Sequence, residues 1–271
     1  MKISTAIALA ATLAVGVVPL AATTYLDDNL SQLSLWKLYP VEGPAGRLTS
    51  SPSGGATIAF PAVGPNQIQT LSYVGSGLRA GDPDARQRFN WSSASGPITY
   101  SFSILEFPAL ESEAYKLAYE VVLVLVCDDA SDFDQPHIQP ANTLIFRVVD
   151  AGLRSELDNK NLIAAQVYLK TNQPGRPIVY HKSDAELTRL STREDRGLSS
   201  MIGTWSFTIN QGAIHITGPT GTRSPVGKLD PAKVANFASR SASLHLVVGS
   251  NTRGGGEAIR LGQVSVLPGI R

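Results

Sequence analysis

The densest set of side chains able to hold a cation is Asp128, Asp129, Asp132 and Asp134, with His137 close behind. Calcium takes roughly six to eight oxygen ligands, and aspartates crowded into one loop can supply about three or four of them. The spacing departs from an EF-hand loop, which needs a glycine at its turn and a closing glutamate where this segment has neither. A solvated acidic turn ending the preceding apolar run accounts for the same residues, so calcium is the one cofactor the sequence suggests.

His215 and His245 each sit between aliphatic residues, Ile214 with Ile216 and Leu244 with Leu246. That spacing puts each imidazole on the polar side of a strand. Two such imidazoles on adjacent strands could ligate a metal or orient a sugar, whereas histidines facing solvent need no partner at all. His137 and His181 fall in loops.

Hydrolysis of a glycosidic bond needs two carboxyl groups about 5 to 10 Å apart across a cleft. The nearest approach is Glu111-Ser112-Glu113, which follows Pro108 in a loop, while Glu106 and Glu120 are isolated on their strands. There is no Gly-x-Ser-x-Gly elbow, no His-Glu-x-x-His and no P-loop. Trp91, beside Asn90 in the loop-like run Arg88 to Ser93, is the better candidate for stacking on a sugar ring; an aromatic plug beneath that loop is the competing reading. Asn29-Leu30-Ser31 and Asn90-Trp91-Ser92 match the N-glycosylation sequon.

These residues need a frame, and the clearest part of it runs from Met201 to Gly221. Trp205, Phe207 and Ile209 alternate with Thr204, Ser206 and Thr208, a turn follows at Asn210 to Gly212, and Ile214 and Ile216 then alternate with His215 and Thr217. This is a β-hairpin with one apolar face, which must be buried against another sheet. Ile98, Tyr100, Phe102 and Ile104 alternate with Thr99, Ser101 and Ser103 in the same manner. Further strands are predicted near Leu35–Tyr39 and at Ala56–Phe60, Ile68–Val74, Thr143–Val149, Leu162–Leu169, Arg223–Val226, Leu244–Val248 and Ile259–Val266, the last slipping phase at Gly262 as at a bulge. Tyr115–Val126 competes with a helix, but its valine-rich end favours a central strand buried on both faces. Between Thr171 and Ser200 the chain reads as a long surface excursion with at most one helical turn near Asp184 to Leu190. Asp230-Pro231 marks the start of one short helix, with Val234 and Phe237 on its apolar side.

Met1 to Ala22 reads as a secretory signal peptide: Lys2, an apolar run from Ile7 to Val18 too short to span a bilayer comfortably, and small residues for cleavage. Residues 23–55 form a lead-in with one early strand and a Gly/Pro/Ser-rich turn, and residues 56–271 form one β-sandwich domain. The chain carries 23 basic and 22 acidic residues. Loss of Lys2 balances the two, so no net field draws the protein to nucleic acid or to an anionic membrane. After signal cleavage no second hydrophobic span remains for stable membrane insertion. Cys127, the single cysteine, can form no internal disulfide and reads as a small buried hydrophobe.

Lys170 to Gly175, Gly203-Thr204-Trp205-Ser206-Phe207-Thr208, Ile214 to Gly221, Val234 to Phe237 and Leu246-Val247-Val248-Gly249 together resemble a group of bacterial exported proteins with a concanavalin A-like (laminin G-like) jelly roll. The resemblance covers roughly residues 97–267 and is strongest in the Gly-Thr-Trp-Ser hairpin with its Gly-Pro-Thr-Gly turn. It implies an all-β fold of two antiparallel sheets packed face to face, with a concave face that meets carbohydrate in related lectins and glucanases. The group has no agreed catalytic residues to carry over. Some members end in a Pro-Glu-Pro sorting tail; Leu267 to Arg271 has none, which implies release or loose surface association. The expectation is a secreted or cell-surface, non-enzymatic module that binds glycan or an extracellular matrix polymer. A glucanase-type enzyme and a structural or adhesive envelope protein are the alternatives.

Overall fold

The computed structural model describes residues 26–33, 36–40, 47–59, 67–73, 88–90, 97–107, 119–126, 143–154, 160–170, 185–191, 200–210, 213–221, 227–228, 241–250 and 258–268. The strands, in chain order, are β1 (Leu26–Asp28), β2 (Trp36–Pro40), β3 (Arg47–Ser50), β4 (Ala56–Ala59), β5 (Gln67–Tyr73), β6 (Arg88–Asn90), β7 (Ile98–Glu106) and β8 (Tyr119–Val126). They continue with β9 (Thr143–Arg154), β10 (Lys160–Lys170), β11 (Ala185–Ser191), β12 (Gly203–Asn210), β13 (Ala213–Thr217), β14 (Gly227–Lys228), β15 (Ser241–Ser250) and β16 (Ala258–Pro268). Two sheets result, one in the order β14-β13-β12-β7-β16-β4-β3 with β1 also on β16, the other in the order β11-β10-β9-β8-β15-β5-β2 with β6 also on β15. Every pairing in the two sheets is antiparallel.

Alternation decides which side of each strand is buried. In β12 and β7, Trp205, Phe207, Ile209, Tyr100, Phe102 and Ile104 are fully buried, while the intervening serines and threonines are not. The same period on β9 and β10 directs Phe146, Val148, Ala165 and Val167 into the same core. Within its own sheet Phe207 stacks on its cross-strand partner Tyr100 at 4.8 Å between ring centroids, and across the interface it meets Phe146 at 5.1 Å in a tilted contact. Each buried aromatic or aliphatic side chain contributes about 1.5–3 kcal/mol by leaving water, so this interlayer sets the sandwich.

The helix alternative for Tyr115–Val126 fails: β8 lies inside the second sheet, flanked by β9 and β15. At Gly262 the expected bulge is present, where pairing of β16 with β7 jumps from Leu261↔Ile104 to Val264↔Phe102.

Three expectations change. Asp184 to Leu190 is no helical turn, because Ala185–Ser191 forms β11 on β10. The register jumps from Val167↔Thr188 to Tyr168↔Glu186, and the extra residue, Leu187, offsets the period of two and places Leu187 and Leu190 at a helix-like spacing. Arg88 to Ser93 is loop-like in sequence, yet Arg88–Asn90 pairs with Ser241–Ser243 as β6. The Gly/Pro/Ser-rich part of the lead-in, expected as a turn, contains β3 at Arg47–Ser50, and the lead-in adds β1 and β3 to one sheet and β2 to the other. Polar strands of three or four residues carry too little apolar alternation to announce themselves; their ladder partners define them. The short helix expected from Asp230 to Phe237, the signal peptide, Cys127 and the strand residues Arg223–Val226 lie outside the described residues.

Candidate binding face

Each sheet has a second side, away from the core, and the two differ in how much water reaches them. On the sheet of β7 and β12 that side is open: Thr204 is exposed, and Leu105 and Leu267 are 40% and 38% exposed. On the sheet of β9 and β10 it is enclosed. Ile145, Val149 and Ala164 are 5%, 6% and 6% exposed, although none of them belongs to the core cluster that holds their strand neighbours Phe146, Val148 and Ala165.

Arg147 and Gln166 stand between these residues on β9 and β10. They are directly opposed in the β9–β10 ladder, as are Val149 and Ala164 one step along it. Directly opposed residues carry their Cβ atoms about 4.5–5.5 Å apart on the same side of a sheet. A guanidinium and a carboxamide, both half-buried, are thus set side by side among aliphatic walls. The guanidinium offers donors in a fixed fork and stays charged at all ordinary pH values, while the carboxamide both donates and accepts. Such a pair can bind hydroxyl, carbonyl or carboxylate oxygens. Two acidic residues hold positions on this face, Glu120 in register with Val149 and Glu186 in register with Tyr168, itself opposite Ile145.

The residues expected from sequence distribute unevenly. His245 lies on β15 of this sheet in register with Val124, which is in turn in register with Ile145, so its position falls in the row next to that of Arg147. Asn90 closes β6 opposite Ser241, four residues from His245 along β15, or about 13 Å at the rise of a strand. His215 is on the other sheet, in β13 opposite Thr208, half-buried on the open side. The two imidazoles therefore do not meet. Trp91 and the aspartates Asp128, Asp129, Asp132 and Asp134 lie outside the described residues. Among the described residues no three His, Cys, Asp or Glu side chains are grouped so as to hold a metal ion. Sequence reasoning passed over Arg147 and Gln166. The available signal was a charged and an amide residue inside two otherwise apolar strands.

No protein-family model and no curated protein sequence matches the chain. Solved structures do. The endo-1,3-beta-glucanase from Streptomyces sioyaensis superposes with a TM-score of 0.57 at 12% identity, covering 92% of this chain and 96% of that one. The potassium-bound carbohydrate recognition domain of Emp46p superposes with a TM-score of 0.51 at 13% identity, covering 92% and 97%. At such identities the likeness shows the fold alone, a two-sheet antiparallel β-sandwich of the concanavalin A-like jelly-roll kind.

Proposed function

We propose that the protein is an exported, non-enzymatic β-sandwich module that binds carbohydrate on the enclosed face of the sheet containing β9 and β10. One observation carries the reading: Ile145, Val149 and Ala164 are withdrawn from water on the side away from the core, around the opposed pair Arg147 and Gln166. A sugar ring has apolar C–H patches and a rim of hydroxyls, and a few polar groups placed among aliphatic side chains suit both. The likeness in fold to a carbohydrate recognition domain and to a glucanase supports glycan as the ligand class, and the apolar run from Ile7 to Val18 supports export.

The test is retention on insoluble polysaccharides and a glycan array, with and without calcium, for the unaltered protein and for Arg147→Lys and Gln166→Leu. The reading expects retention that falls at least tenfold in both variants while their melting temperatures stay near that of the parent. No retention of the parent on any polysaccharide would overturn it. Release of soluble oligosaccharides during incubation would replace binding with cleavage.

A further inference from the structure

The chain as a whole is nearly balanced, with 23 basic and 22 acidic residues, but the described strands divide that charge unevenly. On the sheet of β7 and β12, Arg47, Lys228 and Arg260 match Asp27, Asp28 and Glu106 in number. The row Ser265, Ser101, Ser206 and Thr217 crosses β16, β7, β12 and β13 of that sheet, hydroxyl beside hydroxyl, with no charge in it. The strands of the other sheet carry seven basic residues against three acids.

Register shows where these charges stand, because residues in register share a side of a sheet, as do residues two apart on one strand. In the row of Arg147, Gln166 follows on β10 and Arg189 on β11. The next row, that of Ile145 and His245, runs from Lys37 on β2 to Glu186 on β11. The row beyond it runs from Arg88 on β6 through Ser243, Val126 and Thr143 to Lys170 on β10. Glu120 lies in the row of Val149. Five basic positions against two acidic ones therefore share the side of Arg147 and Gln166. The third acid, Asp150, is buried in register with the core residue Ile163. Arg154 and Lys160 pair with each other past the irregularity in the β9–β10 ladder and stand outside this count.

We infer that the polymer bound on this face is an acidic polysaccharide whose sugars carry carboxylates, a uronic-acid chain, and that Arg147 and Arg189 are the positions that select it. The inference rests on the carbohydrate-binding reading and narrows its ligand class. Charge complementarity supplies the attraction, since a surface of one prevailing sign concentrates ligands of the other. Arg147 and Arg189 flank Gln166 at two strand spacings, about 10 Å. A guanidinium matches a planar carboxylate through two parallel hydrogen bonds, so each position suits a separate carboxylate. The aliphatic Ile145, Val149 and Ala164 lie in the adjoining rows, which suits charges spaced by the C–H faces of sugar rings. Nucleic acid calls for an unbroken basic stripe, whereas Glu120 and Glu186 interrupt this one.

Retention of the purified protein on immobilised polygalacturonate tests this, beside its methyl ester, an unsubstituted glucan, dextran sulfate and duplex DNA, each at low and high salt. The expected result is retention at least tenfold tighter on polygalacturonate than on its methyl ester, weakening as salt rises. Arg189→Gln is expected to lower it at least fivefold with an unchanged melting temperature, and Arg189→Lys, which keeps the charge and loses the fork, to lower it less. Arg47→Gln removes the same charge from the exposed edge strand β3 of the other sheet and should leave retention as it was. Equal retention on acid and ester, or retention on the glucan alone, overturns the inference and leaves carbohydrate binding standing. Retention on no polysaccharide removes both. Dextran sulfate or DNA held as tightly as polygalacturonate assigns the attraction to charge alone and overturns the inference, as does a loss with Arg47→Gln equal to that with Arg189→Gln.

Discussion

Pro219 occupies the space that a side chain on Gly203 would need. A Cβ built on Gly203 lies 2.4 Å from the Cβ of Pro219, and Gly203 holds φ at +126°. Gly203 opens β12 and Pro219 follows β13, so the two residues close the base of the hairpin that carries Trp205 and Phe207 into the core. Neither backbone strain nor the overlap can be relieved by moving a flexible chain, because the proline ring is fixed.

Gly203→Ala is accordingly expected to cost about 2–4 kcal/mol, combining a disfavoured backbone conformation with a displaced turn. Urea denaturation would show it as a lower midpoint with an unchanged slope. A loss under about 0.5 kcal/mol would mean that the hairpin base is loosely held.

Trp205 links that hairpin to the preceding segment. Its Nε1 donates to the Met201 carbonyl at 2.8 Å in a buried contact, and its ring is fully buried. Trp205→Phe keeps an aromatic ring but leaves the carbonyl unsatisfied and opens a cavity, at a cost of about 2–4 kcal/mol. Met201→Leu keeps the carbonyl and nearly the same volume, so its cost should stay below about 1.5 kcal/mol. Equal losses in the two variants would show that packing, and not the hydrogen bond, holds the segment.

The sandwich was legible wherever apolar and polar residues alternate over long stretches, as in β7 and β12, because burial on one side writes itself into the period. It was illegible where the strand was short, as in β6 and β3, or where Leu187 broke the phase of β11. The candidate face was harder still. Arg147 and Gln166 are 19 positions apart in sequence and come together only through the register of β9 with β10, which no local pattern encodes. Conversely, His215 and His245 looked alike in sequence because their flanking residues match, yet they belong to different sheets. A local period reports which side of a strand is polar, and says nothing about which sheet the strand joins.

Arg260 and Glu106 form an ion pair at 3.0 Å on the surface, with side chains 32% and 66% exposed. Water and salt screen such a pair, and holding two long side chains still costs entropy. Glu106→Gln is therefore expected to change stability by less than about 0.5 kcal/mol, with little difference between low and high salt. A larger, salt-sensitive loss in thermal denaturation would show that the pair pins the β7–β16 register beside the bulge.

Ser101 and Ser265 present the opposite case. Their hydroxyls are 2.6 Å apart, and Ser265 is only 5% exposed, so water cannot easily replace a lost partner. Ser101→Ala leaves the Ser265 hydroxyl buried without its cross-strand bond, at about 1–3 kcal/mol, and Ser265→Ala should cost a similar amount from the other side. The double variant removes both groups together and should lose clearly less than the two single losses summed, giving a coupling of about 1 kcal/mol or more. Ser103→Ala is the control, because its partner Thr204 is exposed and water takes over the bond, holding the cost within about 0.5 kcal/mol. Strict additivity in the Ser101 and Ser265 cycle would mean that the two hydroxyls are solvated independently, and would remove the claim that this row is satisfied from within the sheet.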